Sequence, residues 1–469
     1  MNNPITTDKP FIPPQFDFRH FLWVYKKEQF VGSLYFEKGQ HHFAYDSDYL
    51  CQEDAKPVSL DLPLTERAFV SERMFNAFEQ VIPEGQDRKL LEKKAGSAND
   101  FDLLPLLNDI YGDLQFSKTA LQFDEKVDSF TYANVKAEIL GENDFPNVLD
   151  RALKIEDKIL FPPNNNHLKS FRPSGLSGFQ HKLSVVMADN GIRQPNKNEA
   201  SHYFIKPYHP SRANPESEYY LPHLAINEHL FMSFAKNELG FDVPWNGIIK
   251  NPTDEEYHYI VKRYDRYKGY KFSYEELATL VGLNSETKYQ ISSEQLFKNI
   301  KEYLTLKSER LILLKYYFYS MVIAHEDMHT KNLSVLTDGD TICMSPLYDI
   351  ATTAIYQGAN SRETALLING KNKNIRPQDF YVLVDLLDVN TQDFDEAVSH
   401  ILLKYRHKLP EYFDKIEKLP NGVFYERSRT HSAGRKPRLI RSISFAERLR
   451  RKHQERMRQL DKAGWYKLI

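Results

Sequence analysis

Apolar and polar positions recur with recognisable periods along much of the chain. Leu183-Ser-Val-Val-Met187, Tyr203-Phe-Ile-Lys206 and Tyr257 to Arg266 are aromatic and β-branched runs that predict strands. Between the last two, Ile226 to Leu239 carries apolar residues at 226, 230, 231 and 234, with Gly240 beyond them. That spacing predicts an amphipathic helix closed by a glycine. Glu309 to Ala324 is rich in Leu, Ile, Tyr and Phe, as a buried helix is. Leu333 to Leu336 and Thr341 to Met344 flank Asp338-Gly339, and Asp-Gly between apolar runs predicts a hairpin. Near the end, Ser444-Phe-Ala-Glu447 is a capping-box pattern. Phe445, Leu449, Met457 and Leu460 follow on a narrow stripe, predicting a basic amphipathic helix that ends near Ala463-Gly464.

These elements suggest an order of domains. Residues 1–20, with Pro10, Pro13 and Pro14, are expected to lack regular structure. A mixed accessory domain covers 21–116, and a polar connector with some helix covers 117–167, ending at Pro162-Pro-Asn-Asn-Asn166. A β-rich lobe is expected over 168–268, a helical lobe over 269–420 and a basic tail over 421–469, with 428–441 flexible. The stretch 351–375, with Gly358 and Gly370, is expected to be mobile.

Composition narrows the class. The 469 residues contain only Cys51 and Cys343, so no disulfide framework exists and a reducing, cytoplasmic setting is expected. The N-terminus lacks the pattern of a signal peptide, and no apolar run is long enough to span a membrane. The net charge of −2 hides an asymmetry: residues 427–469 carry +11 and residues 1–426 carry −13. That tail either docks on the acidic body with its arginines in solvent or contacts a polyanion such as tRNA or operator DNA.

Chemistry concentrates in His325-Glu-Asp327-Met-His329-Thr-Lys-Asn332 and Pro346-Leu-Tyr348-Asp349. A hairpin lies between them, so Asn332 and Asp349 at its outer ends are brought together. Phosphoryl transfer from ATP uses such a set: Asp327 would take the acceptor hydroxyl's proton, while Asn332 and Asp349 would hold Mg²⁺. Such a cluster also arises as turn chemistry. Zinc is a weaker alternative, because alternating loop positions do not place His325, Asp327 and His329 on one face and Asn332 would be idle. Lys206, at a strand exit, suits the phosphates, and Glu228 either pairs with it or complements the helix dipole. Ser174-Gly-Leu-Ser177-Gly178-Phe-Gln180-His-Lys182 is either a phosphate-covering loop or an ordinary turn. In order, the parts read glycine loop, lysine strand, helix, hinge strand, catalytic loop and metal aspartate. That order predicts an α+β, two-lobed protein-kinase-like fold with a β-rich N-lobe, a helical C-lobe and an N-terminal accessory domain.

The chain resembles the HipA-like serine/threonine kinases of bacterial toxin–antitoxin modules. Ser177 to Lys182 is similar to the family's Gly-x-Gln-x-Lys loop, and Val261-Lys262-Arg-Tyr264-Asp-Arg266 to its Val-Glu-Arg-Phe-Asp-Arg strand. Asp327-x-His329-x-Lys-Asn332 and Tyr348-Asp349-Ile350 resemble its catalytic and metal motifs. Pro57 to Pro63, Phe75, Phe78, Pro83 with Arg88, and Phe101 to Leu104 have counterparts in its accessory domain. The resemblance implies ATP and Mg²⁺ as cofactors, with Gln180, Lys182, Lys206, His329 and Tyr348 at the nucleotide site. Tyr264 and the backbone near Lys262 would border adenine. It implies a growth-inhibiting toxin that phosphorylates an aminoacyl-tRNA synthetase, a helix-turn-helix antitoxin as partner, and self-inactivation by phosphorylation in the glycine loop. The family's usual serine position is Gly175 here, leaving Ser177 or Ser174. Lys262 stands where the family often has glutamate. A small-molecule or lipid kinase, or a catalytically degenerate partner of a DNA-bound repressor, are the alternatives.

Overall fold

The computed structural model describes residues 20–123, 128–161, 180–196, 199–217, 220–251, 256–356, 362–420, 422–427 and 438–469, together with the backbone of strand Ile5–Pro10. Six strands form one antiparallel sheet: Ile5–Pro10 (β1), Phe21–Lys26 (β2), Gln29–Glu37 (β3), Gln40–Tyr45 (β4), Arg67–Ser71 (β5) and Leu114–Ser117 (β6). Their order is β1-β5-β4-β3-β2-β6. Leu22, Val24, Leu34 and Phe43 pack with Phe75, Phe78, Leu91 and Phe101, giving this accessory domain its own core. β1 departs from the expectation that 1–20 lacks structure, because an open sheet edge supplies backbone partners that the local sequence does not advertise. Pro10, which has no amide proton, is tolerated at the end of that edge strand.

A second antiparallel sheet follows, built from Leu183–Ala188 (β7), Gly191–Arg193 (β8), Tyr203–Lys206 (β9), Asn246–Lys250 (β10) and Tyr257–Lys262 (β11). Its order is β10-β11-β9-β7-β8, and Lys206 lies opposite Tyr259. The helix Leu224–Leu239 joins β9 to β10 and ends at Gly240, whose φ of 66° is the left-handed cap that glycine adopts freely. The strand expected to reach Arg266 stops at Lys262. There the Arg263 and Asp265 side chains, both fully buried, form a two-point pair (Nε–Oδ1 2.9 Å, Nη2–Oδ2 2.7 Å). Arg263 also donates to the Ile110 carbonyl at 2.7 Å, and the Gly112 amide donates to Asp265 at 3.0 Å. The Arg-Tyr-Asp-Arg string therefore bolts the accessory domain to this sheet.

In the helical lobe, Lys307–Val322 is buried from Tyr316 to Val322. The hairpin Ser334–Asp338 with Thr341–Met344 turns on Gly339-Asp340, and Ser273–Glu276 adds a third strand. Helices Pro377–Leu386, Thr391–His407 and Leu409–Glu417 complete the lobe.

The C-terminal helix spans Phe445–Ala463, capped by the Ser444 hydroxyl, which accepts from the Glu447 amide at 3.1 Å, and closed by Gly464 at φ 93°. Phe445, Leu449 and Leu460 enter the same core as the helical lobe. Three expectations are corrected here. Arg448 and Arg456 are buried rather than in solvent, because backbone carbonyls and carboxylates of the body face this helix. The stretch expected to be flexible contains strand residues from Leu439, paired with Val423–Arg427, while 428–437 lie outside the described residues. The segment expected to be mobile is packed where described, with Ile355, Leu366, Ile368 and Ile375 buried. No described helix is long and apolar enough to cross a membrane.

Candidate active site

A cleft of about 630 Å³ between the lobes is lined by Gln180, Lys182, Lys206, Glu228, Lys262, Tyr264, Asp327, His329, Asn332, Tyr348 and Asp349. All the described candidates thus share one cavity of the size that holds small ligands. Ser174, Ser177 and Gly178 lie outside the described residues.

Three charges meet at its inner end. Lys206, on the last position of β9, has its Nζ 2.6 Å from Glu228 Oε1 and also pairs with Asp349 Oδ1. Glu228 reaches it because the helix Leu224–Leu239 packs on the sheet. Burial would lower the Lys206 pKa, but Asp349 and Glu228 together raise it. Burial pushes Glu228 up to about 7, because Lys206 is shared with a second carboxylate. Asp349 resists its own burial and is held well below the usual range by Lys206 and Lys182. Lys182 is lowered by burial. Next to it His181 fixes the exit of the glycine loop to the accessory domain, Nδ1 lying 2.6 Å from Asp87 and Nε2 3.1 Å from the Ile159 carbonyl.

The loop from His325 to Asn332 is held by its own backbone and by the segment after the hairpin. Asn332 Nδ2 donates to the Asp327 carbonyl at 2.8 Å, which leaves Oδ1 as its remaining acceptor. His325 Nδ1 donates to the Ala351 carbonyl at 2.6 Å, tying the loop to the residues behind Asp349. Ala324 and Asp349 sit at φ 52° and 57°, a left-handed conformation that non-glycine residues adopt only under constraint. Asp327 itself is exposed, and the Tyr289 hydroxyl donates to its Oδ1. His329 is pushed down to about 4 by burial and by Lys288, so it is neutral at physiological pH.

Tyr264 stacks on Tyr348 (5.9 Å, 29°), and Tyr111 of the accessory domain lies 5.9 Å from Tyr264, forming an aromatic wall. The Tyr348 hydroxyl donates to the Lys331 carbonyl at 2.9 Å. Lys262 is turned away, its Nζ donating to the Glu138 carbonyl at 2.7 Å. The amides of Lys262 and Arg263 donate to the Trp245 and His202 carbonyls (2.8 Å each).

Sequence reasoning missed the accessory domain's direct share in this cleft. Glu84 pairs with Lys288 at 2.8 Å and Lys331 at 3.0 Å, and those cations hold it near 2 against its burial. Nothing local marks Glu84, whose partners lie some two hundred residues away. Arg88, by contrast, is spent on its neighbours Glu92 (2.9 Å) and Asp100 (2.6 Å). Among the described residues no group of three or more His, Cys, Asp or Glu could hold a metal ion. Asn332 Oδ1 and the Asp349 carboxylate are a donor set suited to a hard cation shared with phosphates rather than to zinc.

Residues 174–412 match the HipA-like C-terminal domain and residues 22–117 the HipA N-terminal domain. A Sinorhizobium fredii protein named as an inferred kinase, Y4mE, is 28% identical over 333 residues, covering 68% of this chain and 73% of its own. A similarly named Haemophilus influenzae protein is 31% identical over 197 residues, 39% of this chain and 53% of its own. Among solved structures, the HipA of Shewanella oneidensis, in complex with HipB and operator DNA, superposes with a TM-score of 0.61. It is 15% identical and covers 94% of this chain and 97% of its own, which establishes a shared fold.

Proposed function

This chain belongs to the HipA family, and from that premise we propose that it is an ATP- and Mg²⁺-dependent serine/threonine protein kinase. The observation that carries the reading is the convergence of the Lys206–Glu228–Asp349 cluster with Asp327 and Asn332 on one cleft. Lys206 would hold phosphate oxygens, oriented by Glu228. Asn332 and Asp349 would hold Mg²⁺, which neutralises phosphate charge when bound. Asp327, exposed to incoming protein, would orient a serine or threonine hydroxyl and take its proton. The aromatic wall of Tyr264 and Tyr348 would bracket the base.

The family likeness extends the proposal to a growth-inhibiting toxin. Its target would be an aminoacyl-tRNA synthetase or another translation protein, its partner a helix-turn-helix antitoxin, and its own loop would be phosphorylated on Ser177 or Ser174. Intact mass after incubation with Mg-ATP tests the reading, with Asp327→Ala alongside. Added phosphate in the wild type alone supports it, and mapping decides between the loop serines. Wild-type protein that carries no phosphate at purification, gains none and binds no ATP would establish the degenerate alternative.

A further inference from the structure

The C-terminal helix lies beyond the residues matched by the HipA-like C-terminal domain, yet it grips the end of the helix that leads into Asp327. Arg456 is 5% exposed. Its Nε donates to the Val322 carbonyl at 3.0 Å and its Nη2 to the Met321 carbonyl at 2.7 Å. These are last-turn carbonyls of the helix Lys307–Val322, where helices leave acceptors unfilled and cations are favourable. That helix runs directly into Ala324-His325-Glu326-Asp327. The third nitrogen, Nη1, pairs with Glu363 Oε1 at 2.6 Å, and Glu363 Oε2 accepts the Ile375 amide at 2.8 Å.

Two further contacts from the same end of the chain hold the same segment. Arg448 Nε donates to the Ile355 carbonyl at 2.9 Å and Trp465 Nε1 to the Ile375 carbonyl at 2.8 Å. The segment in turn meets the catalytic loop, because the Thr353 hydroxyl donates to the Ala324 carbonyl at 2.9 Å and accepts from the Glu326 amide at 3.0 Å. Arginines on the outer side are occupied differently: Arg450 pairs with Asp414 and Glu417 (2.8 and 2.7 Å), and Arg451 with Glu447 (2.6 Å).

We infer that Arg456 is a positioning residue for phosphoryl transfer, clamping the helix end that carries Asp327 to the segment that follows Asp349. The inference rests on the kinase reading of Asp327. Its test compares Arg456→Gln and Arg456→Lys with Arg450→Gln, reading kcat, the KM for Mg-ATP and amide hydrogen exchange. Arg456→Gln is expected to lower kcat by about 10- to 100-fold, as a small misplacement of a reacting group does. The KM for Mg-ATP should stay within about twofold, because the Lys206 end is untouched. Arg456→Lys keeps the charge opposite Glu363 and should recover part of the loss, and Arg450→Gln should match the wild type. Exchange should quicken in 324–333 and 363–375 while the accessory core stays protected. Unchanged kcat in folded Arg456→Gln overturns the inference, as does an equal rise in KM with faster exchange throughout. If Arg456→Gln does not fold, Glu363→Gln, which leaves both carbonyl bonds in place, is expected to give the same split between kcat and KM. A wild type that transfers no phosphate at all sinks the kinase reading instead, and the exchange pattern then decides the clamp alone.

Discussion

At the inner end of the cleft, Lys206 and Glu228 are buried and Asp349 is half-buried, with both carboxylates paired to Lys206; at the outer end, Asp327 is exposed and its carboxylate accepts a tyrosine hydroxyl. On the kinase reading, a nucleotide entering the inner end would exchange one anion for another beside Lys206. Charges that are paired in advance cost little to reorganise at the moment of reaction. The outer end is open, as the proposed protein acceptor would require. On the kinase reading the cleft would separate holding the phosphates from choosing the acceptor, and variants at the two ends should fail in different ways.

The largest effect is expected at the outer end. Asp327→Ala should slow transfer by about 10²- to 10⁴-fold, the usual worth of a positioned proton acceptor, while binding Mg-ATP as the wild type does. Steady-state rates paired with nucleotide titrations check this, and wild-type turnover would erase the distinction between the ends. At the inner end, Lys206→Met strands the buried Glu228 and the half-buried Asp349. Losing one member of a buried ion cluster costs roughly 3–5 kcal/mol, so denaturant unfolding should show a large fall in stability that Asp327→Ala does not share.

A subtler contrast lies in pH. The folded protein holds the Glu228 proton up to about pH 7, against 4.5 for the ordinary side chain. The folded state therefore binds that proton more tightly than the unfolded state. This contribution to stability is full below about pH 4.5 and is lost as pH rises through 7, at up to about 1.4 kcal/mol per pH unit. Asp349, held low, works in the opposite sense, and its contribution disappears only in acid. Glu228→Gln should remove this component, so the stability of the wild type relative to the variant should decline between about pH 5 and 7. A residual slope remains from Glu275, which burial also raises to about 7. An unaltered slope in the variant would place the proton elsewhere. The smallest effect is expected from Tyr289→Phe, which frees the Asp327 carboxylate for an incoming hydroxyl. Transfer should quicken by about 2- to 10-fold, the net worth of one solvent-exposed hydrogen bond, and slower transfer would make Tyr289 a support rather than a competitor.

What could be read from the sequence follows the same division between near and far. That Asn332 and Asp349 line the same cleft was legible because a hairpin of known turn chemistry lies between them and brings its two ends together. The Gly240 cap, the Ser444 cap and the apolar stripe of the last helix are local signals as well, and each appears where it was expected. Glu84, Tyr111 and Tyr289 were not legible, because each depends on a distant segment being folded across the cleft. The arginines of the tail show the limit most clearly. Charge counting assigns Arg450 and Arg456 the same property, yet one lies on the surface and the other is buried against carbonyls of another helix. β1 was missed for a related reason, since its partner β5 lies far along the chain.

The division of labour is tested most directly by calorimetric titration of ATP, with and without Mg²⁺, into Asp349→Ala and Asp327→Ala. Asp349→Ala should lose the gain in affinity that Mg²⁺ confers, and Asp327→Ala should keep it. Undiminished Mg²⁺-dependent binding in Asp349→Ala, or its loss in Asp327→Ala, would contradict the assignment of the two ends.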